Sequence, residues 1–175
     1  MSVIMLLAAC STSGPNARDE ALADARVSID KVSAVAVESA IGLDLASYSL
    51  AVSRGEAWPK PAFSTIQEDS REFLPGWARG ASFDVGTDQS GSYPRVVISY
   101  AVPGQGAVGS GFHTKVSDVL VCVKIGIEFI DDQVAVRMPP TVAAIPCPED
   151  VQQYFGPDEL VTLDEVLATG HGPKQ

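Results

Sequence analysis

The chain has little positive charge and no long apolar run. Its 175 residues include 12 Lys and Arg against 22 Asp and Glu, which gives a formal net charge of −10 at pH 7. Because such a surface repels phosphate backbones, we exclude nucleic acid as a leading partner. A helix that spans a bilayer needs about 18 consecutive apolar residues, and the sequence contains no such run.

Signatures of catalysis and metal binding are also scarce. The chain has two histidines, His113 and His171, and neither has the spacing of a CxxC or HExxH zinc motif. Ser110 precedes His113, but no GxSxG elbow surrounds this serine, and local spacing places no acid to orient the imidazole. We therefore predict no catalytic residue, metal site or cofactor, and we keep an envelope hydrolase that uses His113 as an alternative.

Hydrophobic residues, by contrast, are plentiful. They make up 46% of the chain against 19% charged residues, which is enough for one domain with a packed core and too little for two. We expect a single globular domain over residues 17–170 and a frayed tail over residues 171–175.

The start of the chain is apolar and carries no charge before Arg18. Within it, Leu7-Ala8-Ala9-Cys10 places a large aliphatic residue three positions before a cysteine, with small residues between them. This tetrad resembles the lipobox of bacterial lipoproteins. The resemblance implies that a signal peptide over residues 1–9 is removed, that the Cys10 thiol is linked to diacylglycerol, and that the new amino terminus is acylated.

The segment after Cys10 has the composition of a tether. Ser11–Asn16 is small and polar, so residues 10–16 are predicted to be a lipidated cysteine and a flexible link to the domain. No Lys or Arg precedes the apolar run, which predicts that the leader begins upstream of Met1. The implied partner is the membrane, through several acyl chains at Cys10, and the implied location is its extracytoplasmic face.

Two cysteines remain, Cys122 and Cys147, and an exported compartment allows them to pair. Closing a loop of about 26 residues would contribute roughly 3.5 kcal/mol in the chain-entropy model. We therefore predict a disulfide between them. A cytoplasmic structural protein with a misread leader is the alternative, and it would keep both thiols reduced.

Apolar residues with helical spacing follow the tether. Asn16 can cap a helix whose first turn contains Asp19 and Glu20. We predict an amphipathic helix over residues 17–39 that stops before Gly42, and the spacing leaves residues 43–52 open between helix and strand. The apolar stripe consists of Leu22, Ala25, Ile29, Val32, Ala36, Leu43 and Leu50.

Alternating apolar residues then predict strands over Arg95–Val102 and Lys115–Ile130. We expect Asp131-Asp132 to form a two-residue hairpin turn. This register pairs Phe129 with Val134, Ile127 with Val136, Ile125 with Met138 and Cys122 with Thr141. Since Thr141 is six residues short of Cys147, the prolines at 139, 140 and 146 must redirect the chain before the disulfide can close. We expect the disulfide to fasten the proline-rich segment to the outer face of the sheet.

A glycine-rich segment lies between these two strands. Residues 104–109 have GxGxxG spacing, but they lead into a strand rather than a helix, so they do not form a dinucleotide site. We predict instead a hairpin loop that contacts an unidentified protein or small molecule. The candidate contact residues are Gly104, Gly106, Gly109 and His113.

Two capping-box patterns predict short helices, one from Ser64 to about Leu74 and one from Thr162 to about Ala168. The predicted fold class is therefore α+β, with an N-terminal amphipathic helix packed on an antiparallel β-meander of three or more strands. This order of elements is similar to the curved-sheet arrangement of cystatin-type and NTF2-type folds. The predicted function is an extracytoplasmic binding or protein-interaction module held to the cell membrane by lipid.

Overall fold

A long helix packs across a mixed six-stranded sheet in the computed structural model, which describes residues 16–58 and 80–169. The α+β class is confirmed. The helices are α1 (Ala17–Ala40), α2 (Leu45–Ser53), α3 (Glu149–Phe155) and α4 (Leu163–Ala168). The leader, Cys10, the predicted helix from Ser64 to Leu74, His171 and the tail lie outside the described residues.

Helix α1 follows the sequence prediction closely. Its cap is Asn16, whose side-chain oxygen accepts a hydrogen bond from the Asp19 N–H at 2.8 Å. The helix ends just before Gly42, which has a φ of +83°. Its buried stripe contains the predicted residues Leu22, Ala25, Ile29, Val32 and Ala36.

The open segment after Gly42 forms helix α2. Asp44 caps it, and its carboxylate accepts the Ser47 N–H at 2.7 Å. Tyr48 is fully buried, with its hydroxyl 2.9 Å from the carbonyl oxygen of Ala36, so α2 is fastened to α1. Because the turn at Gly42 interrupts the helical register, Leu50 leaves the buried stripe and is 48% exposed.

The sheet is built around one long central strand. Strand β3 pairs with β2 along one edge and with the short strands β4, β5 and β6 along the other; only β6 is parallel to it. The predicted strand over residues 115–130 is confirmed at both ends. The strands are β1 (Ala81–Asp88), β2 (Arg95–Val108), β3 (Lys115–Ile130), β4 (Gln133–Val134), β5 (Thr141–Ala144) and β6 (Glu159–Leu160).

The predicted turn after β3 is present, but the predicted strand pairing extends only over the two pairs that β4 forms with β3. Asp131 and Asp132 both have positive φ angles, +50° and +63°, as a two-residue hairpin of type I′ requires, and Phe129 pairs with Val134. The predicted pairs of Ile127 with Val136 and of Ile125 with Met138 are wrong.

Strand β4 ends at Val134, and the chain leaves the ladder before it returns as β5 with Val142 opposite Ile125. This excursion contains Pro139 and Pro140, which have no N–H to donate to a ladder. The result is a shift of four residues, since Val142 takes the place predicted for Met138.

Apolar residues cover both faces of the sheet. The α1 face holds the larger cluster, in which alternate residues of β2 and β3 meet the helix, as the alternation predicts. The opposite face holds a smaller cluster beneath α3, formed by Ala81, Ala101, Leu120, Cys122 and Val151.

Candidate functional site

Gly104 and Gly106 lie within strand β2, opposite Val119 and Ser117 of β3. The prediction that residues 104–109 form a loop is therefore wrong for most of the segment. A Cβ atom on Gly104 would overlap the carbonyl oxygen of Ala21, and one on Gly106 would overlap that of Ala17. These glycines let the α1 backbone approach the sheet closely, which is a packing role.

The turn between β2 and β3 begins at Gly109. Its φ of +116° lies outside the range that other residues favour. A single 3₁₀ turn follows over Gly111–His113, held by a hydrogen bond from the His113 N–H to the Ser110 carbonyl at 3.3 Å. We call residues 108–116 the hairpin tip. Its most prominent side chain is Phe112, which is completely exposed to solvent at 108% of the reference area.

His113 lies on the same tip with an exposed side chain. Within residues 16–58 and 80–169, no carboxylate forms a hydrogen bond or an ion pair with its imidazole. A hydrolytic histidine needs such a partner to orient it and a cleft to hold substrate. The position of His113 therefore gives the hydrolase alternative no support.

The sequence pattern predicted His113 as a contact residue at this tip but did not predict Phe112. A signal for Phe112 is nevertheless present: it is an aromatic residue between Gly111 and His113, in a segment rich in glycine and serine where two alternating strands are interrupted. An aromatic side chain at such a point has no strand face to bury it.

The two cysteines form the predicted disulfide on the face of the sheet away from α1. Cys122 faces Ile145, whose N–H donates to the Cys122 carbonyl at 3.1 Å, rather than Thr141 as predicted. Because of the four-residue shift, the residue opposite Cys122 is only two positions before Cys147, so the disulfide can close. The expected attachment of the proline-rich segment to the outer face is confirmed. Residues Phe83, Ile145, Tyr154 and Phe155 pack around this smaller cluster.

A charged cluster joins the first turn of α1 to the end of the chain. The Arg18 guanidinium donates to Glu159 through two hydrogen bonds of 2.8 Å and to Glu165 at 2.7 Å. Hydrogen bonds from Thr162 and then from Arg18 lower the pKa of Glu165 to about 2. Glu165 also completes the predicted capping box with Thr162, so it stabilises α4 and its attachment to α1 together.

An open hollow lies beside this cluster, between α1 and α4. Its lining is mainly small and acidic, from Asp19, Ala23, Glu165, Ala168 and Thr169. Over the part of the chain that the structure describes, no three His, Cys, Asp or Glu side chains are grouped to hold a metal ion. None of the helices within those residues is long and apolar enough to cross a membrane.

The class defined by this geometry is an α+β domain with a covered sheet, a disulfide on its outer face and a projecting aromatic hairpin tip. Comparison of the chain with protein-family models, curated proteins and solved structures finds no match.

Proposed function

We propose that the protein is a lipid-anchored envelope protein whose domain binds partners at its surface on the extracytoplasmic side of the membrane. The observation that carries this proposal is how the three cysteines are used. Cys122 and Cys147 form a disulfide, which is typical of an oxidising compartment. Cys10 is left as the cysteine of the lipobox-like tetrad, followed by a polar tether.

A surface-binding role is supported by the way the domain fills its interior. Backbone contact at Gly104 and Gly106 closes the space between α1 and β2 so tightly that a single added methyl group would overlap the helix. On the other face, α3 and the disulfide cover the sheet. Since ligand pockets are concave and usually lie between such elements, a partner is better accommodated at the exposed surface of the domain.

Metabolic labelling with palmitate tests the anchor. We expect label on the wild-type protein and none on Cys10→Ser, because the acyl chains are attached to that residue. The double variant Cys122→Ser/Cys147→Ser, expressed in the same cells, is the matched control and should keep its label. A wild-type protein without label would contradict the anchor.

A thiol count under denaturing conditions without reductant separates this proposal from a cytoplasmic protein. A lipidated chain with a disulfide exposes no free thiol, whereas a cytoplasmic chain exposes all three. One free thiol per chain would indicate a disulfide-bonded protein whose Cys10 carries no lipid. The three outcomes can be distinguished with a single thiol reagent.

A further inference from the structure

We propose that the hairpin tip, residues 108–116, is a second membrane contact and that the Phe112 ring inserts into the interface of the lipid bilayer. This inference rests on the proposed anchor at Cys10. It adds a direct interaction of the folded domain with lipid to the covalent one.

The hairpin tip lies at the end of the domain where α1 begins. Ala17 of α1 lies against Gly106 and Ala25 lies against Gly104, so the helix runs antiparallel to β2. The amino terminus of α1 therefore points toward the end of the hairpin where Phe112 lies. The point where the chain enters the domain and the exposed ring of Phe112 are therefore at the same end of the domain.

The tether between Cys10 and α1 is short. Asn16 is six positions after Cys10, and even a fully extended chain of six residue steps spans no more than about 22 Å. A lipid at Cys10 therefore keeps this end of the domain close to the membrane. The β2–β3 ladder continues as far as Val108 and Lys115, which carries the tip outward beyond the first turn of α1.

The charge of the hairpin tip differs from that of the rest of the domain. The domain as a whole is strongly acidic, but residues 108–116 contain no carboxylate, and their titratable side chains are His113 and Lys115. Phe112 is fully exposed there, and Val116 is 55% exposed. Aromatic rings with cationic neighbours are well suited to the headgroup region of a bilayer.

Carboxylates that lie next to the tip in space limit how deeply it can enter. On α1, Glu20 accepts the N–H of Ala107, one residue before the tip, at 3.3 Å. Asp118 follows the tip on β3, and its N–H is bound to the side chain of Asp158 at 3.0 Å. Glu159 stands next to Asp158. Charged carboxylates are costly to bury in hydrocarbon, so insertion stops at the tip. The short 3₁₀ turn restricts the backbone at Phe112, which lowers the backbone entropy lost on insertion.

Tryptophan substitution in the full-length lipidated protein tests the contact. Phe112→Trp is reconstituted in phosphatidylcholine vesicles with brominated acyl chains, and its emission is compared with that of the wild type, which contains Trp58 and Trp77. We expect a blue shift and quenching beyond the wild-type background. Val136→Trp is the matched control, because Val136 is 58% exposed beyond β4, roughly 40 Å away along β3. It should behave like the wild type.

The unlipidated Cys10→Ser protein separates this inference from the anchor. We expect it to float weakly with the same vesicles, and Phe112→Ser in that background to lower partitioning about tenfold, since the apolar ring is lost. Val136→Ser should leave partitioning unchanged. Flotation that depends on Phe112 would support the tip contact even if the wild type takes up no palmitate.

Two results would overturn the tip contact while leaving the anchor intact. The first is a palmitate-labelled protein whose Phe112→Trp emission is unquenched in brominated vesicles. The second is an emission that shifts only when another protein is added, which would assign the tip to a protein partner.

Discussion

The carboxylate of Asp24 on α1 accepts a hydrogen bond from the backbone N–H of Gln105 on β2 at 3.1 Å. One helical turn earlier, Glu20 accepts the N–H of Ala107 at 3.3 Å. Strand β1 pairs with β2 only as far as Ala101, so these bonds lie along the part of the edge that β1 leaves uncovered. Pro103, between Ala101 and Gln105, has no N–H. The helix thereby occupies donors that could otherwise pair with a strand of another chain.

We predict that Glu20→Ala/Asp24→Ala promotes self-association. Removing both carboxylates frees the N–H groups of Gln105 and Ala107 to pair with a strand of another chain. Each lost hydrogen bond also costs about 1 kcal/mol of folding stability. Sedimentation velocity over a range of concentrations should show dimers or larger species. Asp30→Ala/Glu38→Ala is the control, because these two exposed α1 residues remove the same charge away from the edge. A monodisperse double variant would contradict the edge role.

We predict that Gly104→Ala destabilises the domain. The added methyl group would overlap the Ala21 carbonyl oxygen and meet the Ala25 Cβ at 2.8 Å, and overpacking of this kind typically costs about 1–3 kcal/mol. The free energy of unfolding in urea measures the effect. Gly86→Ala is the matched control, since Gly86 lies in β1 and a Cβ there would meet nothing within 4 Å. Equal stability of the two variants would refute close packing at Gly104.

We predict that Glu165 contributes to the acid sensitivity of the fold. Its pKa is about 2 in the folded domain against an ordinary value of 4.5, chiefly because of hydrogen bonds from Thr162 and Arg18. A depressed pKa stabilises the folded state fully above pH 4.5, and this contribution is lost as the pH falls toward 2. The side chain is exposed, so the effect is modest and weakens at high salt.

Urea unfolding of wild type and Glu165→Gln between pH 6 and pH 2 measures this contribution. The variant should show a shallower loss of stability with acid, because glutamine can retain the cap but has no charge to lose. Parallel curves for wild type and Glu165→Gln would contradict the assignment.

We predict that Cys122→Ser/Cys147→Ser lowers the free energy of unfolding by about 3.5 kcal/mol, since the loop that the disulfide closes regains its entropy in the unfolded chain. Hydrogen exchange should rise most in β5 and α3, which the disulfide holds against the outer face. Cys10→Ser should leave stability unchanged. A uniform rise in exchange over α1 as well would contradict a local role.

The elements that depend on local chemistry could be read from the sequence. Asn16 capping α1, the Thr162–Glu165 capping box and the alternation along β3 each involve residues a few positions apart, and each is present. Positive φ at Asp131 and Asp132 likewise belongs to the turn itself. The disulfide followed from there being two cysteines left to pair.

The extent of β2 could not be read in this way. Glycines at 104 and 106 indicate a loop when the chain is considered alone, because glycine loses the most entropy on forming a strand. Pairing with β3 and the approach of α1 reverse that preference, and both depend on residues far away in the sequence.

What the sequence determined by itself was helix α1 with its buried stripe, strand β3, helix α4 and the pairing of Cys122 with Cys147. The tertiary structure alone decided the four-residue shift before β5, the carboxylates along the β2 edge and the placement of Phe112 at the same end of the domain as the amino terminus of α1. The physical reason is that periodicity and capping are properties of neighbouring residues. Strand register, the covering of a sheet edge and the location of one segment relative to another depend on residues far apart in the sequence, which compete for the same hydrogen bonds and the same space.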